Sequence, residues 1–166
     1  MELRQMATVF LFYDNHVLIM KKTSSRLYQH EFYSGLGGHL EPSELNDPKS
    51  ACFREVQEES GIPEQNIHDL KLRYVLLRVK DGEIRQQFVY FGRTSDRQCV
   101  PSEEGELLWV EEAELLKLRT SQIIHFMLQH YFAHRQSEEV MVGTIALNDE
   151  QKPIMQWARM QDPIIF

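Results

Sequence analysis

The chain opens on an apolar run, residues 6–13, rich in β-branched and aromatic side chains and bounded by Asp14-Asn15. That composition predicts a buried strand, and the apolar run at 16–21 beyond the turn predicts its hairpin partner. Residues 21–34 lose the pattern and read as an irregular surface connection with basic residues at Lys21, Lys22 and Arg26. Gly35-Leu36-Gly37-Gly38 reads as a tight glycine-rich turn. A helix is predicted from Asp47-Pro48 to Ser60, with Asp47 as its cap, Pro48 in the first turn and Gly61 as its stop. Residues 70–79 and 83–93 flank Asp81-Gly82, a strong two-residue hairpin signal. A short strand at 107–110 follows, then a short helix at 111–118. A second helix at 121–134 carries Ile123, Ile124, Met127, Leu128 and Tyr131 at helical spacing. The tail holds two further apolar runs, 140–147 and 154–158, around a turn at 148–153. The order of elements predicts an α+β sandwich over residues 1–134 and a C-terminal β-hairpin extension, 135–166, of the same domain.

Composition narrows the class. The chain has 166 residues, 42% hydrophobic and 26% charged, which suits one globular domain. Its 18 Lys+Arg against 25 Asp+Glu leave a net charge of −7. That balance argues against polymeric nucleic acid or an anionic membrane as partner, and a polyanionic substrate would need a divalent cation to attract it. Cys52 and Cys99 are too few for a disulfide framework or a cysteine-based zinc site. The first apolar run follows Glu2 and Arg4 and has no small-residue cleavage site, so it does not read as a signal peptide. No run is long enough to span a membrane, and a reducing cytoplasm is the expected setting.

The predicted helix at 48–60 contains Arg54-Glu55-Val56-Gln57-Glu58-Glu59. Spacings of three and four residues put Glu55, Glu58 and Glu59 within an arc of about 100°. Like charges there cost a few tenths of a kcal/mol each, and more near the negative end of the helix dipole. A solvated acidic face is the plain interpretation of such a run. A cluster of hard oxygen ligands for Mg²⁺ or Mn²⁺ is the alternative.

The surroundings favour the second. Gly38-x5-Glu44, then Arg54-Glu55-Val56-x-Glu58-Glu59-x-Gly61-Ile62, resembles the Nudix box, G-x5-E-x7-R-E-U-x-E-E-x-G-U with U aliphatic. Nine residues separate Glu44 from Arg54 where the family pattern has seven, and Leu36 stands where many members have proline. The extra residues precede the helix, so its register is untouched. The resemblance implies a Nudix-type α/β/α sandwich with a mixed sheet that hydrolyses nucleoside diphosphate derivatives with Mg²⁺ or Mn²⁺. It makes Glu55, Glu58, Glu59 and the Gly37 carbonyl metal ligands, with Arg54 and Glu44 orienting the cluster. An additional carboxylate is expected from Ser102-Glu103-Glu104-Gly105-Glu106, with Glu104 ahead of Glu103. Lys21, Lys22, Gly38 and His39 are candidate phosphate contacts. Phe32, Tyr33 and Trp109 could stack on a base, although large aromatics more often serve the core. His130 and His134 have a zinc-like spacing but lack a third ligand, and a capping role is expected instead.

Substrate identity rests on weaker signals. The stretch Leu76-Leu77-Arg78-Val79 lacks the proline or tyrosine by which some Nudix branches are recognised, which points to a MutT-like nucleoside triphosphate pyrophosphohydrolase. An oxidised purine nucleotide is one substrate in view. The competing readings are a nucleotide-sugar pyrophosphatase, a non-catalytic nucleotide-sensing module, and an isopentenyl diphosphate isomerase, whose catalytic cysteine Cys52 is badly placed to supply. The apolar tail is expected to pack on the domain or on a second copy, with a homodimer slightly preferred.

Overall fold

The computed structural model describes residues 1–24 and 30–164. Among these residues are eight strands and two α-helices: β1 (Leu3–Tyr13), β2 (His16–Ser24), β3 (His30–Ser34), α1 (Pro48–Ser60), β4 (Ile67–Lys80), β5 (Glu83–Thr94), β6 (Glu106–Glu111), α2 (Gln122–Ala133), β7 (Met141–Leu147) and β8 (Pro153–Arg159). The sheet order is β3-β2-β1-β5-β4-β7-β8, with β6 on β2. β1/β5 and β4/β7 are parallel and the remaining pairs antiparallel, which is the mixed sheet expected.

Strand alternation divides the core between the two faces. Ala7, Val9 and Leu11 of β1 pack with Tyr90 against Ala51, Cys52 and Val56 of α1. Phe10 and Phe12 pack with Val89 and Phe91 against Ile123, Ile124, Met127 and Leu128 of α2. The helix-spaced apolar residues of 121–134 are therefore the buried stripe that their period implied. Among the described residues no helix is long and apolar enough to cross a membrane.

Four local expectations change. Residues 21–34 are not an irregular connection throughout: β2 runs on to Ser24, and β3 returns with Lys21 opposite Tyr33 and Lys22 opposite Phe32. An edge strand is free to carry charged side chains, so its polarity resembles a loop. Arg26 lies outside the described residues. Gly35–Gly38 is not a tight turn but an extended segment laid along the edge of β1 beyond its pairing with β2. Leu36 pairs with Val9 and His39 with Met6, with Gly38 O accepting from Ala7 N–H at 2.9 Å. Asp47 does begin α1, but its side chain caps nothing; its carbonyl accepts from the N–H and the hydroxyl of Ser50. The short helix expected at 111–118 is a 3-10 run, Glu112–Lys117.

The C-terminal hairpin is part of the sheet. β7 joins β4 in parallel, Tyr74 opposite Met141, and β8 closes the edge. Met141, Ile145, Met155 and Trp157 pack onto the α2-side core. The apolar tail thus packs within its own chain.

Candidate active site

α1 sets the acidic cluster. Its start after Pro48 and its left-handed glycine stop, Gly61 at φ 76°, hold the helix in one register. Glu55 and Glu59, one turn apart, are buried, while the Glu58 side chain is 59% exposed. The extended glycine segment runs beside them. A Cβ on Gly38 would stand 2.4 Å from Glu55 Oε1, and Gly37, at φ +140°, donates its N–H to Glu59 Oε2 at 2.8 Å. Leu36 and Gly38 direct their carbonyls to β1, so alternation turns the Gly37 carbonyl the other way.

Arg54 is the organiser. Nε and Nη2 hold both oxygens of the buried Glu44 at 2.8 and 2.9 Å, a bidentate pair. Nη1 donates to Glu55 Oε1 at 2.8 Å and Glu58 Oε2 at 3.1 Å, and Nη2 to the His39 carbonyl at 3.1 Å. Arg54 therefore offsets the like-charge contact that the sequence alone implied. The Arg54 guanidinium keeps the Glu44 carboxyl below its ordinary range despite burial, and the pairing raises Arg54 in turn. Glu44 has a second anchor that motif reading missed, the Glu41 N–H at 2.8 Å. Glu41-Pro42-Ser43-Glu44 forms a capping box, with Glu41 in the place where the sequence signature has serine or threonine.

Glu59 is the unusual carboxylate. Burial pushes it up to about 7; the Gly37 N–H and Lys22 pull it down, while Glu104 and Glu55 push it further up. Its second oxygen, Oε1, is buried with no hydrogen-bond partner. Burial also raises Glu55, against the pull of Arg54. Glu104 is ion-paired to Lys22 at 3.2 Å, and its charge reaches both Glu55 and Glu59.

The structure thus gathers Glu44, Arg54, Glu55, Glu58, Glu59, Gly37, Gly38, Lys22 and Glu104 in one region. It does not bring in Lys21, which is bonded to Glu31 at 2.8 Å, and it brings in His39 through its carbonyl rather than its ring. Glu103 forms no ion pair among the described residues. Trp109 is engaged by Tyr13 and donates to the Arg97 carbonyl at 3.0 Å, a packing role. His130 and His134 stack on each other at 4.2 Å, with His130 bonded to the Tyr74 hydroxyl and His134 Nδ1 to the His130 carbonyl at the helix end. Cys52 is fully buried, and that burial raises its thiol, which disqualifies it as a nucleophile.

Among the described residues no three His, Cys, Asp or Glu side chains are gathered closely enough to hold a metal ion. Arg54 draws Glu55 and Glu58 to one side while Glu59 faces Gly37. The donor types, carboxylates and a backbone carbonyl, are nevertheless those a hard divalent cation takes, and among the described residues the buried Glu59 Oε1 has no hydrogen-bond partner.

A family model for the NUDIX domain matches residues 3–132. A search of curated proteins finds no match. Among solved structures, a MutT protein from Bacillus halodurans is 20% identical with a TM-score of 0.65, covering 96% of this chain and 99% of that one. A MutT protein from Methanosarcina mazei is 15% identical with a TM-score of 0.67, covering 82% and 97%. A C. elegans Ap4A hydrolase is also 15% identical, with a TM-score of 0.61 and coverage of 82% and 98%. At these identities the likeness is one of fold.

Proposed function

The chain belongs to the NUDIX family of hydrolases, which act on nucleoside diphosphate derivatives, and on that premise we propose that it cleaves a nucleoside triphosphate to the monophosphate and pyrophosphate with Mg²⁺ or Mn²⁺. The observation that carries this reading is the buried carboxylate pair Glu55 and Glu59 beside Gly37, with Glu59 Oε1 left without a partner. A buried charged oxygen left unsatisfied costs about 1–3 kcal/mol or more, a penalty a bound cation would remove.

In this reading Glu55, Glu58, Glu59 and the Gly37 carbonyl hold the ion, with Glu104 completing the set from its loop. When bound, the ion neutralises the phosphate chain and lowers the pKa of a coordinated water. Water attacks one phosphorus of the bridge between the α- and β-phosphates, and one carboxylate of the set accepts its proton. The bond from that phosphorus to the bridging oxygen breaks with its electron pair leaving on that oxygen, which releases the monophosphate and pyrophosphate. Arg54 and Glu44 aim the carboxylates. Lys22, poised between Glu104 and Glu59, contributes positive charge to the phosphates.

The triphosphate substrate, with an oxidised purine nucleotide as one form, is supported by the MutT likeness over 96% of the chain, hairpin included. The homodimer reading moves to the outer edge of β8, which has no neighbouring strand among the described residues. A panel of nucleoside triphosphates, dinucleoside polyphosphates and nucleotide sugars, assayed with Mg²⁺ for pyrophosphate and orthophosphate, tests the function. Pyrophosphate release from a triphosphate is expected. Direct orthophosphate release, or full turnover in excess chelator, contradicts it. Turnover of a nucleotide sugar alone replaces the substrate.

A further inference from the structure

The opposite face of the sheet carries a second cleft of about 620 Å³, walled by parts of β4 and β5, the end of α2 and residues 135–138. Its aromatic side is a stack, Tyr131 on Phe91 at 4.0 Å and 15°, with the Arg73 guanidinium 5.4 Å from the Tyr131 ring centre. The site described above belongs to the α1 face; this cleft belongs to the α2 face.

The charges in the cleft are only partly paired. Lys71 is bonded to Glu138 at 2.9 Å, and Arg135 is paired with Glu112. Arg73 and Arg93 also line the cleft and form no ion pair among the described residues. Arg73 Nε is buried with no hydrogen-bond partner among the described residues, and Glu138, on which its charge acts, is already bonded to Lys71. Burial acts most strongly on the Tyr131 phenol, and Arg135, Arg73 and Arg93 act on it against Glu112; its hydroxyl bonds to nothing among the described residues. Asp14 and Asp69 line the cleft too, leaving it neutral as a whole. Asp14 and Asp69 are as free of ion pairs among the described residues as Arg73 and Arg93; what favours an anion there is the buried Arg73 Nε without a partner, not the net charge.

We propose that this cleft is a second binding site, for a phosphate-class oxyanion held between Arg73 and Arg93 with the Tyr131 hydroxyl as a third donor. Guanidinium forks match phosphate oxygens, and a half-buried one leaves less hydration to remove. The anion is either inorganic phosphate or pyrophosphate, or the phosphate of a nucleoside monophosphate.

The inference stands apart from the proposed reaction, because its test runs without turnover. Wild-type protein in excess chelator is titrated calorimetrically with orthophosphate, pyrophosphate and a nucleoside monophosphate. One-to-one saturation by at least one is expected, weakened tenfold or more by Arg73→Gln and by Arg93→Gln, and unchanged by Glu58→Gln on the other face. Saturation by the inorganic ions alone names them as the ligand; tighter binding of the monophosphate names the ester. Arg93 is exposed, so Arg93→Gln keeps the test decisive should Arg73→Gln disturb the fold. No saturable binding of any of the three, or undiminished binding in Arg93→Gln, overturns the proposal.

Discussion

The Gly37 amide donates to Glu59 Oε2 at 2.8 Å, tying the glycine segment beside β1 to the last turn of α1. Twenty-two positions separate the two residues. The bond explains why Glu59 is held in place while its other oxygen stays free, and it makes the glycine segment part of the acidic site.

Gly37→Ala should therefore do more than strain a dihedral. At φ +140° an alanine is disfavoured, and its Cβ would stand 2.1 Å from the Ala7 carbonyl oxygen, a main-chain atom that cannot swing aside. A loss of about 3 kcal/mol or more in urea unfolding is expected. Gly82→Ala is the control: φ is +78° but nothing lies within 4 Å, so about 1 kcal/mol is expected. Equal losses in the two would show that the glycine segment is not pressed against β1.

Arg54→Ala should leave Glu44 buried and without its cation, at a cost of about 3–5 kcal/mol. Glu44→Ala in the same background should recover part of that loss. A double-mutant cycle measures the coupling, and a value near zero would remove Arg54 as the organiser. Arg54→Lys should rescue poorly, because an ammonium cannot reproduce the bidentate pair.

Glu58→Gln should lower turnover by about 10²-fold or more while hardly touching the fold. Helix charge spacing alone would predict a more stable metal-free protein. The Arg54 contact to Glu58 at 3.1 Å reverses that sign, and a loss of about 0.3–0.5 kcal/mol is expected instead. Near-wild-type turnover would leave Glu58 as a surface partner of Arg54 only.

The metal-free protein should respond to pH through Glu59. Its folded value, about 7, lies above the ordinary 4.5, so the fold favours the protonated form. That contribution is complete below 4.5 and is lost as pH rises through 7. Glu59→Gln should flatten the decline in melting temperature across that window in chelator. An unchanged pH profile would contradict the burial of this charge.

His130 should act with the opposite sign. Burial, His134 and Arg73 depress it below the ordinary 6.5, so its contribution is present above 6.5 and falls away as pH drops below. Its ring lies between the Tyr74 hydroxyl, 3.0 Å away, and Trp157 of β8, with ring centres 4.6 Å apart. Acidification in a Glu59→Gln background should loosen the hairpin, read by Trp157 fluorescence relative to a Trp109→Phe reference. His130→Gln should remove that acid response. A Trp157 signal that ignores pH would separate the hairpin from His130.

The sequence by itself determined what depends on neighbours along the chain. The spacing of Glu55, Glu58 and Glu59, the glycine stop at 61, the Asp81-Gly82 turn and the apolar stripe of α2 are local patterns, and each appeared where the pattern put it. The Nudix box resemblance rested on the same local spacing. Tertiary structure alone decided what depends on distant backbone. A polar edge strand such as β3 and an extended glycine segment look like loops until a partner strand supplies their hydrogen bonds. The parallel seating of β7 on β4 joins residues far apart in sequence, which no local pattern encodes. Arg54 illustrates the division: its place in the motif was legible, but its simultaneous hold on Glu44, Glu55 and Glu58 was not. A side chain's partners are set by which surfaces the fold brings within a few ångströms, and only the folded chain settles that.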